Sequence, residues 1–116
     1  MEFKVIEPKE QCEYRVGDAI IFYREATPRE RDELLTRFSE AGEDGKVEID
    51  QVGIAYSVKG SHITGWKGIT VDGQPAEFSR ELLMKIDLGA HTFHLRNKIM
   101  QWDETPPAKE ESTENP

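Results

Sequence analysis

The segment Thr27-Pro28-Arg29-Glu30 limits what this chain can fold into more than any other stretch. A threonine hydroxyl can accept a hydrogen bond from a first-turn N–H, and a glutamate three residues on can reach back to the threonine's own N–H. Pro28 falls at the first helical position, where its missing N–H costs nothing. A helix is therefore predicted from Pro28 to about Ala41, with Gly42 just past its end. Leu34, Leu35 and Phe38 form its narrow apolar stripe, while Glu33 and Arg37 are an i,i+4 pair in the favourable order. A helix of this kind lies on a surface with one face inward, so it needs apolar structure beside it.

The preceding residues can supply that structure. Cys12-Glu13-Tyr14-Arg15-Val16 alternates with a period of two, as does Phe3-Lys4-Val5 before Ile6. Gly17-Asp18 is a turn signal, and Ala19 to Arg24 is β-rich and nearly all apolar. Together they predict a small antiparallel sheet, with Ile20, Ile21, Phe22 and Tyr23 in its central strand.

Beyond the helix, Glu43-Asp44-Gly45-Lys46 is a loop. Residues 47 to 58 admit two readings. Val47, Ile49, Val52, Ile54, Tyr56 and Val58 mostly fit a strand, whereas Asp50 could cap a helix bearing Val52, Ala55, Tyr56 and Lys59. Gly53 weakens the helix by about 1 kcal/mol against alanine, so pattern alone leans towards strand. Asp72-Gly73 predicts a short hairpin, because glycine supplies a positive φ cheaply. Ser79 caps a short helix carrying Leu82, Leu83 and Ile86. Asp87 caps a last helix from Leu88 to about Trp102, with Leu88, Thr92, Leu95, Ile99 and Trp102 in one seam. The class is α+β: a small N-terminal antiparallel sheet, three or four helices and a short hairpin. Residues 1–102 form the single domain, and residues 103–116 form a disordered acidic tail, having too little apolar surface to offset ordering.

The net charge is −8, and residues 103–116 hold five carboxylates against one lysine. A net negative body repels phosphate backbones, so nucleic acid is not an expected partner. The longest apolar run, Ala19 to Tyr23, is far short of the roughly 20 residues that span a bilayer. No basic stretch followed by an apolar run opens the sequence. A single cysteine, Cys12, suits a reducing compartment. These features predict a cytoplasmic protein with no membrane partner.

Chemistry-bearing motifs are sparse. His91 and His94 share a helix face, but two ligands do not close a zinc site, and no third ligand lies at a metal-binding spacing. Cys12 alternates with Tyr14 and Val16, which reads as a small core residue rather than a nucleophile. The stretch from Gly65 to Thr70 lacks the order of a phosphate-binding loop. No catalytic residue, metal or cofactor is expected. Trp66, between glycines, reads either as a core plug or as an exposed anchor of the type found in interface hot spots. Trp102, at the end of the last seam, carries the same two readings.

Several segments taken in order resemble small proteins of tailed bacteriophages and prophages, in particular the tail assembly chaperone group. They are Phe22-Tyr23-Arg24-Glu25-Ala26-Thr27-Pro28-Arg29-Glu30-Arg31-Asp32, Ile63-Thr64-Gly65-Trp66-Lys67-Gly68-Ile69, Asp72-Gly73-Gln74-Pro75 and Phe78-Ser79-Arg80-Glu81-Leu82-Leu83. The resemblance spans roughly residues 1–86. It implies a non-enzymatic role in the bacterial host cell, holding tail or tape-measure proteins during virion assembly. It also implies a helical middle segment, drawing residues 48–59 towards helix. Trp66, Ile69, Phe78, Ile99 and Trp102 are then the expected partner contacts. Two other functions fit the residues: a head or tail completion protein that forms a homo-oligomer, and a small metal protein or enzyme using His91, His94 and Cys12.

Overall fold

A computed structural model describes residues 1–5 and 7–102; the acidic tail expected at 103–116 lies outside the described residues. Strands β1 (Cys12–Val16) and β2 (Ala19–Tyr23) form an antiparallel hairpin across Gly17-Asp18. Gly17 takes φ +58°, the left-handed conformation that glycine adopts without penalty. The register sets Tyr14 opposite Ile21 and Cys12 opposite Tyr23. That face turns towards the core, while Glu13 and Arg15 face solvent.

Helix α1 (Pro28–Arg37) begins as the capping box requires. The Glu30 N–H donates to Thr27 Oγ1 at 3.1 Å, and the Thr27 N–H donates to Glu30 Oε1 at 2.9 Å. The helix stops at Phe38, short of the expected Ala41. Ser39–Ala41 forms β3 and pairs with β4 (Val47–Ile49), so sheet hydrogen bonds replace the last helical turn. The Ser39 hydroxyl also bonds back to the Leu35 carbonyl.

Residues 51–62 correct the strand reading. They form helix α2 (Gln51–His62), with Asp50 accepting from the Gly53 N–H at 2.9 Å. Ile54, Ala55 and Val58 are buried from this helix. Gly53 is where the Phe38 ring and the Asp50 carboxylate crowd in: a Cβ there would lie 2.6 Å from each. Its helical cost is thus offset by close packing.

The chain then enters β5 (Ile63–Lys67), the third strand of the main sheet, ordered β1-β2-β5. β2 is central, as expected, but its second neighbour comes from mid-chain. Residues 3–5 belong to no strand. A two-residue turn at Asp72-Gly73 joins β6 (Thr70–Val71) to β7 (Gln74–Pro75), the predicted hairpin.

Helix α3 (Arg80–Lys85) is capped by Ser79, whose Oγ accepts from the Leu82 N–H at 3.0 Å. Helix α4 (His91–Met100) is shorter than the predicted 88–102. Asp87 accepts from the Gly89 N–H at 2.7 Å and so makes a turn ahead of the helix instead of capping it. The seam faces inward nonetheless, with Thr92, Leu95 and Ile99 buried and Leu88 and Trp102 half-buried.

These elements enclose one core of Ile21, Tyr23, Ile54, Val58, Ile63, Trp66, Leu83, Leu95 and Ile99. The end of α4 docks on the connection between β2 and α1. The Ala26 N–H donates to the Ile99 carbonyl at 2.8 Å, and Gln101 Nε2 donates to the Ala26 carbonyl at 2.8 Å. Carbonyls that a helix end leaves unpaired are satisfied in this way. The result is the expected α+β class, with a small antiparallel sheet, four helices and short hairpins among the described residues.

Candidate functional site

The polar groups that converge most closely lie where β2, α1 and α2 meet. Both nitrogens of the Arg24 guanidinium head donate to the Glu30 carboxylate at 3.0 Å. His62, in the last turn of α2, is buried, with its Nε2 3.3 Å from Glu30 Oε1 but out of line for a hydrogen bond. Its Nδ1 lies 2.7 Å from Ser61 Oγ, which also donates to the Ser57 carbonyl at 2.8 Å. Glu33, Leu34 and Arg37 complete the lining of the shallow cleft above.

The charges follow from these contacts. Hydrogen bonds from Arg24 hold the Glu30 carboxyl down at about 2, aided by the Thr27 N–H and His62 and opposed by burial. Burial, then the Arg24 charge, push the His62 pKa down, while Glu30 pulls it back. A neutral imidazole therefore sits between a hydroxyl and a carboxylate.

Serine, histidine and glutamate in a row carry the residue types of a nucleophile relay. Here the row stands at the C-terminal end of α2, where a helix presents carbonyl oxygens rather than the N–H donors that stabilise an oxyanion. Glu30 is committed to Arg24 and to its own helix cap. What the cluster accomplishes is to tie a strand end to two helix ends.

The other chemistry-bearing residues stay apart from it. Cys12 is half-buried, and burial, then the Glu25 charge, raise its thiol pKa, opposite to the activation a nucleophile needs. His91 Nδ1 lies 2.8 Å from the Tyr14 hydroxyl, and the His91 and His94 rings are 6.4 Å apart. Among the described residues no three His, Cys, Asp or Glu side chains come together as a metal site.

Of the expected partner contacts, Trp66 and Ile99 belong to the core. Trp66 is 8% exposed and Ile99 0% exposed. Trp66 donates its Nε1–H to the Ala76 carbonyl at 2.8 Å and meets the Phe78 ring edge-on, centroids 5.0 Å apart. Burial wins for Trp66 because Ala76, just past β7, supplies the acceptor its indole requires and Phe78 packs against the ring. Ile69, Phe78 and Trp102 are half-buried against the same core, and Trp102 carries the Arg96 guanidinium over its ring at 5.6 Å.

Apolar side chains more exposed than these lie at the N-terminal segment, at Met84 and Phe93, and in a run within β4 and α2. Val47 and Ile49 of β4 and Val52 and Tyr56 of α2 are 66%, 41%, 52% and 46% exposed. Four such residues in ten are flanked by Glu43, Asp44, Glu48 and Asp50 against the single cation Lys46. The strand reading hid this face by placing Val52, Ile54 and Tyr56 on one side. The usable signal was the Asp50 cap, from which Val52 and Tyr56 follow as an i,i+4 pair opposite Ile54 and Val58.

The chain matches no family model, no curated protein and no solved structure. Among the described residues no helix is long and apolar enough to cross a membrane.

Proposed function

We propose that this protein works by binding another protein rather than by catalysis, as an assembly factor for the tail of a bacteriophage or prophage in its host cytoplasm. The observation that carries the binding reading is the exposed apolar run Val47, Ile49, Val52 and Tyr56. In a chain that is 33% charged, four large apolar side chains left in water within ten residues are costly without a partner. Their acidic flanks suit a partner segment with apolar side chains and a basic rim, because complementary charge speeds encounter and rejects wrong partners. The choice of tail assembly rests on the motifs around Gly65-Trp66 and Asp72-Gly73-Gln74-Pro75.

The test is co-purification with the products of neighbouring genes, tail-tube and tape-measure proteins first. Wild type should retain one of them, and the double variant Val52→Glu/Tyr56→Glu should lose it while keeping its melting temperature. A well-folded wild type that retains none of them would defeat the tail-assembly reading. Undiminished binding by the double variant would defeat the proposed face.

A further inference from the structure

The alternation Met1-Glu2-Phe3-Lys4-Val5 is a strand pattern without a strand. Met1, Phe3 and Val5 are 109%, 82% and 84% exposed. The main sheet has an open edge at β1, which pairs with β2 alone among the described residues. An open edge presents unpaired N–H and C=O groups and accepts a further strand.

The segment and the edge match residue by residue. Laid antiparallel, Val5 falls opposite Cys12, Phe3 opposite Tyr14 and Met1 opposite Val16. Directly opposed residues share a face, so the three apolar side chains join the half-buried face of β1. On the other face Lys4 falls opposite Glu13 and Glu2 opposite Arg15. Both pairs have opposite charge. Glu13 and Arg15 pair with each other at 2.7 Å, with side chains 46% and 69% exposed.

The chain's own residues 1–5 are exposed and belong to no strand. The Glu25 N–H donates to the Lys9 carbonyl at 2.8 Å, and the Lys9 N–H donates to Glu25 Oε1 at 2.8 Å. Lys9 thus continues the line of β1 beside the end of β2, and residues 1–5 stand off in solvent.

We infer that Met1–Val5 pairs with the β1 edge of a second copy of this chain, each copy donating its segment to the other. The complementary surface is one that this chain itself carries, in both charge and apolar register. Reciprocal exchange uses each copy's one β1 edge and closes at two copies. This dimer is independent of the Val52 and Tyr56 face and survives if the proposed function fails.

The 116-residue chain should scatter light as a dimer, twice its 13.3 kDa mass. Glu2→Lys with Lys4→Glu should weaken dimerisation at least tenfold, and adding Glu13→Lys with Arg15→Glu should restore it. Under oxidation by copper phenanthroline, Val5→Cys should form a disulfide with Cys12 of the other copy, seen as a covalent dimer whose cross-link is mapped by mass spectrometry. Lys4→Cys, aimed at the opposite face, should not. A wild type that stays monomeric at high concentration overturns the inference. So does an intrachain bond between residues 5 and 12, which would mean that the segment folds onto its own edge, or a charge-swapped variant that is not restored.

Discussion

Arg24 grips both oxygens of the Glu30 carboxylate at 3.0 Å, joining the residue after the central strand to the first turn of α1. One glutamate thereby serves as helix cap and as ion-pair partner. A carboxyl held at about 2, below its ordinary 4.5, adds stability that is complete above 4.5 and is lost as pH falls through about 2. The two side chains are 34% and 30% exposed, so solvent screens the pair. Glu30→Gln should cost about 1–2 kcal/mol at neutral pH. Urea midpoints of wild type and variant should converge as pH approaches 2. A gap of constant size would mean that the lost stability is not linked to the charge.

His62 should act at milder pH. Its depressed pKa means that the folded state resists a proton which the unfolded chain accepts. Stability from this group is complete above the ordinary 6.5 and declines as pH falls below it. His62→Gln should flatten the slope of melting temperature against pH just below 6.5. A wild type that gains stability on acidification through that range would show an imidazolium bound by Glu30 instead.

Trp66 separates packing from hydrogen bonding. Trp66→Ala should cost about 3–5 kcal/mol, as a large aromatic leaves the core. Trp66→Phe keeps a ring against Phe78 but orphans the Ala76 carbonyl, and should cost about 1–3 kcal/mol. Chemical denaturation of the two variants gives both values. Equal losses would show that the indole N–H bond carries the whole effect.

Two glycines of α2 should answer alanine with opposite signs. Alanine at position 60 meets only the flexible Met84 side chain, at 3.4 Å, and should gain up to about 1 kcal/mol from helix propensity. At position 53 the new methyl would strike the Phe38 ring and the Asp50 cap at 2.6 Å, and the protein should lose stability. Thermal melts of Gly53→Ala and Gly60→Ala decide it; a gain at both sites would mean that Phe38 moves aside freely.

The capping boundaries were legible because they depend on neighbours in the chain. Thr27 with Glu30, and Ser79, act within one helical turn, and Asp72-Gly73 is set by local φ. The lean towards strand in the middle segment, which local pattern left open to a helix as well, fails for the complementary reason. Gly53 argues against a helix until Phe38, from another element, is seen to fill the space its missing side chain leaves. The cluster of Arg24, Glu30 and His62 was equally invisible, because residues 24 and 62 meet only when β2 is set beside β5.

The sequence by itself determined the class, the central strand, the starts of α1 and α3 and the inward seam of α4, all products of short-range periodicity and hydrogen bonding. Only the tertiary structure decided where α1 stops, that residues 51–62 are helical, that Trp66 and Ile99 are core, and that Val52 and Tyr56 face water. Those outcomes turn on which distant surface reaches a side chain first, and burial against a distant surface outweighs the roughly 1 kcal/mol of a local preference.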